Sequence, residues 1–237
     1  MTDTNYTGLP TVLIDLDNTI LNFDIAERTA LSAAFSHYGL EPTDEILSLY
    51  SSINRRYWEM LELGEISREA LLVGRFVELF ERIGCSAPAI DVESFYENRL
   101  ASGHWFMPGA EELLEAMNGK YRLFMCSNGN ARVQDGRIAS SGIGHYFEDI
   151  FISERIGFDK PDPRYFKACF DRIPGFDRSR CIMVGDSLSS DIRGGINAGV
   201  LTCWYNPAAL PRNTEIIPDY ETSSLDQLLL LLRKIFC

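Results

Sequence analysis

Five short apolar runs, separated by helical stretches, constrain the fold of this chain more than any other feature. They are Thr11 to Ile14, Tyr121 to Cys126, Asp149 to Ser153, Cys181 to Val184 and Leu201 to Tyr205, each followed by polar or glycine-containing residues. Runs of this length bounded by turn residues read as buried strands. Helical patterns fill the gaps between the later runs, at Ala110 to Met117, Arg132 to Ser140, Pro163 to Arg172 and Ile192 to Ala198. Strands alternating with helices predict an α/β fold around a parallel sheet. In such a sheet ligands bind where the loops leave the carboxyl ends of the strands.

The interval between the first and second runs is far too long for one crossover helix. From Asp24 to about Arg99 it reads as helices, with apolar residues at three- and four-residue spacing in Ile25 to Tyr38, Glu45 to Leu63 and Arg68 to Ile83, closed by Gly39, Gly64 and Gly84. This predicts an inserted helical cap over 23–103, with the α/β core formed by 1–22 and 104–237. The return passes through His104-Trp105-Phe106-Met107-Pro108-Gly109, a stiff aromatic segment suited to a hinge.

Charge narrows the partners. Lys and Arg number 22 against 34 Asp and Glu, a net charge of −12, which repels polyanions and anionic membrane surfaces. Nucleic-acid polymers and membranes are therefore excluded as expected partners. The longest apolar run, Leu228 to Leu232, is far shorter than the roughly 20 residues of a membrane span and reads as a core-packing C-terminal helix. Met1 to Pro10 lacks a basic start and an apolar stretch, so no secretory signal is expected. The six cysteines form no C-x-x-C pair and several sit in apolar runs, as reduced core thiols of a cytoplasmic protein do. His37, His104 and His145 are dispersed and point to no zinc site.

The chemistry gathers at the ends of the apolar runs. The first ends in Asp15-Leu16-Asp17-Asn18-Thr19, two carboxylates two residues apart. A calcium loop also begins this way, but needs Gly at its sixth position and Glu at its twelfth, where this chain has Ile20 and Ala26. The fourth run ends in Gly185-Asp186-Ser187-Leu188-Ser189-Ser190-Asp191, a second acidic pair; the alternative reading is that Asp186 or Asp191 simply caps the helix that follows. Ser127-Asn128-Gly129 follows the second run and suits phosphate oxygens; alone it is an ordinary turn. Lys160-Pro161-Asp162-Pro163 follows the third, with a lysine ahead of a helix start.

These four elements, each at or just beyond the end of a successive strand, resemble the four motifs of the haloacid dehalogenase-like superfamily: Asp15-x-Asp17-x-Thr19, Ser127, Lys160, and Gly185-Asp186 with Asp191. The resemblance implies a Rossmann-like core with a C1-type cap, and a phosphomonoesterase. Asp15 would attack phosphorus and become an aspartyl-phosphate, while Asp17 would protonate the leaving oxygen and then activate water. Mg²⁺ would be held by Asp15, the Asp17 backbone carbonyl and Asp186, with Asp191 orienting that shell. Ser127, Asn128 and Lys160 would form the phosphate-binding side, and Lys160 would also screen Asp15 from its acidic neighbours. Dehalogenases of the superfamily generally lack the second aspartate of the first motif, and Asp17 is present.

Longer segments resemble the pyrimidine 5'-nucleotidase branch: Asp17 to Phe23, Ile53-Asn54 with Trp58, Arg75-Phe76, Gly185 to Gly195, Thr202 to Pro207 and Glu215 to Pro218. That branch often carries threonine where this chain has Ser127, a change that keeps the oxygen. The partner implied is a small phosphorylated metabolite, a nucleoside monophosphate. Asn54, Arg55, Trp58 and Arg75 are candidate contacts for its base or sugar; the competing reading is core packing for Trp58 and ion pairs with cap glutamates for the arginines. Other readings of the motifs are a phosphoglycolate or sugar-phosphate phosphatase, a phosphomutase, or a non-catalytic binding protein on the same fold.

Overall fold

The computed structural model describes residues 8–212 and 215–236. Met1 to Thr7, most of the segment read for a signal, lie outside the described residues, as does Cys237. In chain order the elements are β1 (Thr11–Ile14), α1 (Phe23–His37), α2 (Asp44–Glu62), α3 (Arg68–Ile83), α4 (Ala89–Ala101), α5 (Ala110–Met117), β2 (Arg122–Ser127), α6 (Ala131–Ser141), β3 (Asp149–Ile152), α7 (Ser153–Ile156), α8 (Pro163–Arg172), β4 (Cys181–Gly185), α9 (Arg193–Ala198), β5 (Leu201–Tyr205), β6 (Tyr220–Thr222) and α10 (Leu225–Phe236). The five expected strands form within a residue of their expected ends. The sixth, Tyr-Glu-Thr, is too short and polar to announce itself, and pairs at the sheet edge through Cys203↔Tyr220, Trp204↔Glu221 and Tyr205↔Thr222.

The chain divides into two compact units. One holds the described residues of Met1–Asn22, Phe106–Ala131 and Ser141–Cys237; the other holds Phe23–Trp105 and Arg132–Ser140. The first is a six-stranded sheet in the order β3-β2-β1-β4-β5-β6 with every neighbouring pair parallel. Strand order reverses about β1, which pairs with β2 on one side and β4 on the other, so the loops after β1, β2 and β4 leave the same edge at a topological switch point. Val12, Leu13 and Ile14 have no exposed surface, because a parallel sheet covered on both faces buries every side chain of its central strands. One apolar cluster joins Leu13, Phe124, Phe151 and Met183 to Tyr165, Phe166 and Cys169 of α8. The C-terminal helix α10 buries Leu225, Leu228 and Leu232 and packs with α5.

In the second unit α1 packs on α4, and α3 on both α2 and α4. Thr43 and Ser67 cap α2 and α3, accepting the N–H groups of Ile46 and Ala70. Its core is aromatic: the rings of Tyr50, Phe76 and Tyr96 lie 4.9 to 5.7 Å apart. Although α6 lies in sequence between β2 and β3, its residues Arg132–Ser140 belong to this unit. Gly136 allows that placement, since a Cβ there would lie 2.4 Å from the Ala101 carbonyl oxygen of α4. Arg132 pairs with Glu97, and Val133 joins the helical core. Among the described residues no helix is long and apolar enough to cross a membrane, and Cys85, Cys126, Cys169, Cys181 and Cys203 are free thiols.

Candidate active site

The sheet delivers the first carboxylate directly. Ile14 ends β1, and the Asp15 N–H still donates to the Val184 carbonyl at 2.9 Å, so Asp15 leaves the sheet with its backbone fixed and 7% of its surface exposed. The chain then turns tightly. Leu16 O accepts from Ile20 N and Leu21 N, and Asn18 takes φ 55°, a left-handed conformation that asparagine tolerates better than most residues. Met107 N donates to Ile20 O and Leu21 bridges to Phe106, tying this turn to the segment that begins at Phe106. Asp17 is half-buried at the turn.

Lys160 reaches this point from the loop before α8, where its peptide bond to Pro161 is cis and Asp162 caps the helix with Pro163 in its first turn. Its side chain is 1% exposed. The ammonium donates to Asp15 Oδ1, Asp191 Oδ1 and the Cys126 carbonyl, each at 2.7 Å. An ammonium has three protons, and all three are used within the protein. Asn128 fixes the lysine from outside: its Nδ2 donates to Lys160 O and its Oδ1 accepts Lys160 N, both at 2.8 Å. The Asn128 side chain is thereby engaged with the Lys160 backbone. Ser127, 1% exposed at the end of β2, accepts Gly129 N at 3.0 Å.

The last carboxylates come from the turn after β4. Residues Leu188–Ile192 form a single turn of π-helix, a form that recurs at functional sites. It presents Asp191 inward with Oδ1 on Lys160 and Oδ2 accepting the Ser187 N–H at 3.1 Å. Gly185 makes room for it: a Cβ there would lie 2.1 Å from Asp191 Oδ2. Carboxylate oxygens of Asp15, Asp186 and Asp191 lie within 4.8 Å of one another.

Electrostatics follow from this crowding. Burial, and after it the charges of Asp191 and Asp17, raise the Asp15 carboxyl to about 7 in spite of Lys160. Burial, then Asp15 and Asp191, hold Asp186 well above the usual carboxylate range. Burial alone would lower Lys160, but the charges of Asp15 and Asp191 outweigh it and raise its pKa. One ammonium therefore faces a surplus of negative charge. An all-oxygen donor set of this kind fits a hard divalent cation such as Mg²⁺.

The four cap candidates fare differently. Asn54 donates to Glu27 Oε2 at 2.6 Å and accepts from Arg75 Nη1 at 2.8 Å, and both residues are buried in the helical unit. Glu27 also accepts a hydrogen bond from Ser51, and burial raises its carboxyl. Arg75 lies over the Phe76 and Tyr96 rings. Arg55 is exposed, and Trp58 is half-buried beneath the Arg68 guanidinium. Sequence spacing did not single out Glu27, or Glu93 and Glu97 with the Glu93 carboxyl raised to about 7 by burial and by Glu97, because glutamates on a helix ordinarily face solvent. Also unassigned was Trp204, whose indole donates to the Asp186 carbonyl at 2.7 Å.

Comparison with known proteins agrees with this geometry. The family model for haloacid dehalogenase-like hydrolases matches residues 9–199. HAD-hydrolase YfnB of Bacillus subtilis is 38% identical over 92% of this chain and 93% of its own length. Its crystal structure, bound to magnesium, superimposes with a TM-score of 0.90 over 94% of this chain and 98% of that one. Pyrimidine 5'-nucleotidase PynA of Streptococcus pneumoniae is 37% identical, covering 92% of both chains. Pyrimidine 5'-nucleotidase YjjG of Escherichia coli is 34% identical over 94% of this chain and 97% of its own. Four motifs on one edge of a parallel sheet and a family match over most of the sequence lead to one conclusion: the chain belongs to the haloacid dehalogenase-like hydrolases.

Proposed function

We propose that this protein is a cytoplasmic, Mg²⁺-dependent phosphomonoesterase that hydrolyses pyrimidine nucleoside 5'-monophosphates through an aspartyl-phosphate on Asp15. The observation that carries the reading is Asp15 itself, a buried carboxylate held at the end of β1 by Lys160 and converging with Asp186 and Asp191. The substrate class follows from PynA and YjjG, pyrimidine 5'-nucleotidases that align over nearly the whole chain.

Asp15 attacks phosphorus, forming an Asp15 Oδ–P bond as the bond from phosphorus to the ester oxygen breaks. Asp17, one turn further on, gives its proton to the departing nucleoside oxygen. It then takes a proton from water, which attacks the same phosphorus, releases inorganic phosphate and restores Asp15. Ser127 contacts phosphoryl oxygens, while Asn128 and Lys160 act from behind, the lysine offsetting carboxylate charge that would repel a phosphate dianion. Asp15, the Asp17 backbone carbonyl and Asp186 would hold Mg²⁺, which supplies charge neutralisation of the phosphoryl group, and Asp191 would orient that set. The helical unit contributes substrate choice. Arg55 and Trp58 keep open surface for a nucleotide, whereas Asn54 and Arg75 hold the unit's interior in shape.

Phosphate release from nucleoside 5'-monophosphates, phosphoglycolate and hexose phosphates, with Mg²⁺ and with EDTA, tests the reading. Mg²⁺-dependent release favouring UMP, dUMP or dTMP is expected, with loss of at least about 10³-fold in a folded Asp15→Asn variant. Release confined to phosphoglycolate or sugar phosphates overturns the substrate, and activity retained in Asp15→Asn overturns the mechanism.

A further inference from the structure

The segment Thr202-Cys203-Trp204-Tyr205-Asn206 forms β5 and its exit, and none of its side chains belongs to the carboxylate cluster. Trp204 nevertheless meets that cluster from behind. It is the register partner of Gly185 at the end of β4, it is 1% exposed, and its Nε1–H donates to the backbone carbonyl of Asp186 at 2.7 Å. It shares a buried apolar cluster with Ile192 of the π-helical turn that carries Asp191 and with Ile216 beyond β5, and Leu188 of the same turn packs against that cluster. A single indole thus holds the backbone of one acidic residue by a hydrogen bond and the turn bearing another by apolar contact.

The cluster needs such a brace. Carboxylate oxygens of Asp15, Asp186 and Asp191 are kept within 4.8 Å, and Asp191 is held by Lys160 and Ser187 N. Asp186 has no hydrogen bond of that kind to its carboxylate among those resolved in the described residues, and it sits on the loop immediately after the strand. A side chain held so loosely keeps its direction only if the backbone beneath it is fixed. We propose that Trp204 is a positioning residue for cation binding, its indole N–H locking the Asp186 peptide so that the Asp186 carboxylate stays turned toward Asp15. The role rests on the reading that a divalent cation binds at Asp15 and Asp186.

Trp204→Phe keeps the ring and removes only the donor. Titration of the metal-free chain with Mg²⁺ by calorimetry should show affinity about 10-fold weaker than wild type, as for other residues that orient metal ligands. The Tm should stay within about 4 °C of wild type, and kcat at saturating Mg²⁺ within about 3-fold, so that the loss appears in the metal requirement. Unchanged Mg²⁺ affinity in Trp204→Phe, with wild-type binding intact, overturns the role and leaves the enzyme reading standing. Absence of Mg²⁺ binding by the wild-type chain overturns both. Should Trp204→Phe fail to fold, the Trp58→Phe/Trp105→Phe chain keeps Trp204 as its one indole. Its emission must change on Mg²⁺ titration with the calorimetric midpoint, and an unresponsive emission overturns the role.

Discussion

Replacing Lys160 with methionine isolates the charge at the centre of the site, because methionine keeps an unbranched apolar stem and removes the ammonium. In the wild-type chain that ammonium is 1% exposed and offsets Asp15 and Asp191 at 2.7 Å each. Removing one side of a buried ion pair leaves uncompensated charge and costs about 3–5 kcal/mol. For a chain of 237 residues, that lowers Tm by about 6–20 °C. The measurement is thermal unfolding of Lys160→Met against wild type in EDTA, at about pH 5.5 and about pH 8.5, where the sign of the pH dependence discriminates causes. Lys160 has a raised pKa, so its contribution is whole throughout this window and would fade only as the pH rose through that value. The pH dependence therefore comes from the carboxyls. Asp15 is raised to about 7, so the stability it contributes in its neutral form is present at low pH and lost as pH rises through 7. Without Lys160, the influence that lowers Asp15 is gone, its pKa climbs further, and the variant goes on losing stability where wild type has stopped. The gap between the two proteins should be smallest at the acidic end and widen above about pH 7. A difference under about 1 kcal/mol, or one equal at both pH values, would refute the argument that Lys160 neutralises buried carboxylates.

Two further outcomes follow from the same geometry. Gly185→Ala places a Cβ 2.1 Å from Asp191 Oδ2, which must displace Asp191 from Lys160 and Ser187, so Mg²⁺ affinity and kcat/KM should both fall about 100-fold; values within about 3-fold of wild type would show the cradle to be dispensable. Cation binding must expel the proton from the Asp15 carboxyl raised by burial, so Mg²⁺ affinity should climb about 10-fold per pH unit below pH 7 for that proton. Calorimetry in two buffers of different ionisation enthalpy counts the protons released, and an affinity flat from about pH 5.5 to 8 would contradict the raised Asp15 carboxyl.

How much of this was legible in advance depended on whether local order sufficed. Thr11–Ile14 and Leu201–Tyr205 form strands at the residues their apolar runs mark, because buried strands of a parallel sheet need only to be apolar and short. Asp15, Asp17, Ser127, Lys160, Asp186 and Asp191 stand out in the sequence through their resemblance to the four motifs, and parallel strands bring the segments that carry them to one edge. What each side chain does there was decided by tertiary contacts. That Lys160 spends all three protons on Asp15, Asp191 and Cys126, that the Asn128 amide grips the Lys160 backbone, and that Trp204 reaches the Asp186 carbonyl are pairings between residues 18 to 145 positions apart. Three- and four-residue spacing marks helices of the second unit, whereas the membership of Arg132–Ser140 in that unit hinges on the close approach that Gly136 permits. Asn54 and Arg75 show the same division. Their residue types indicated polar contacts, but only the packing of four helices determined that the contacts are with Glu27 and with each other. Sequence specifies period and composition, which set the elements; distances between residues remote in the chain arise only when those elements close on a common core.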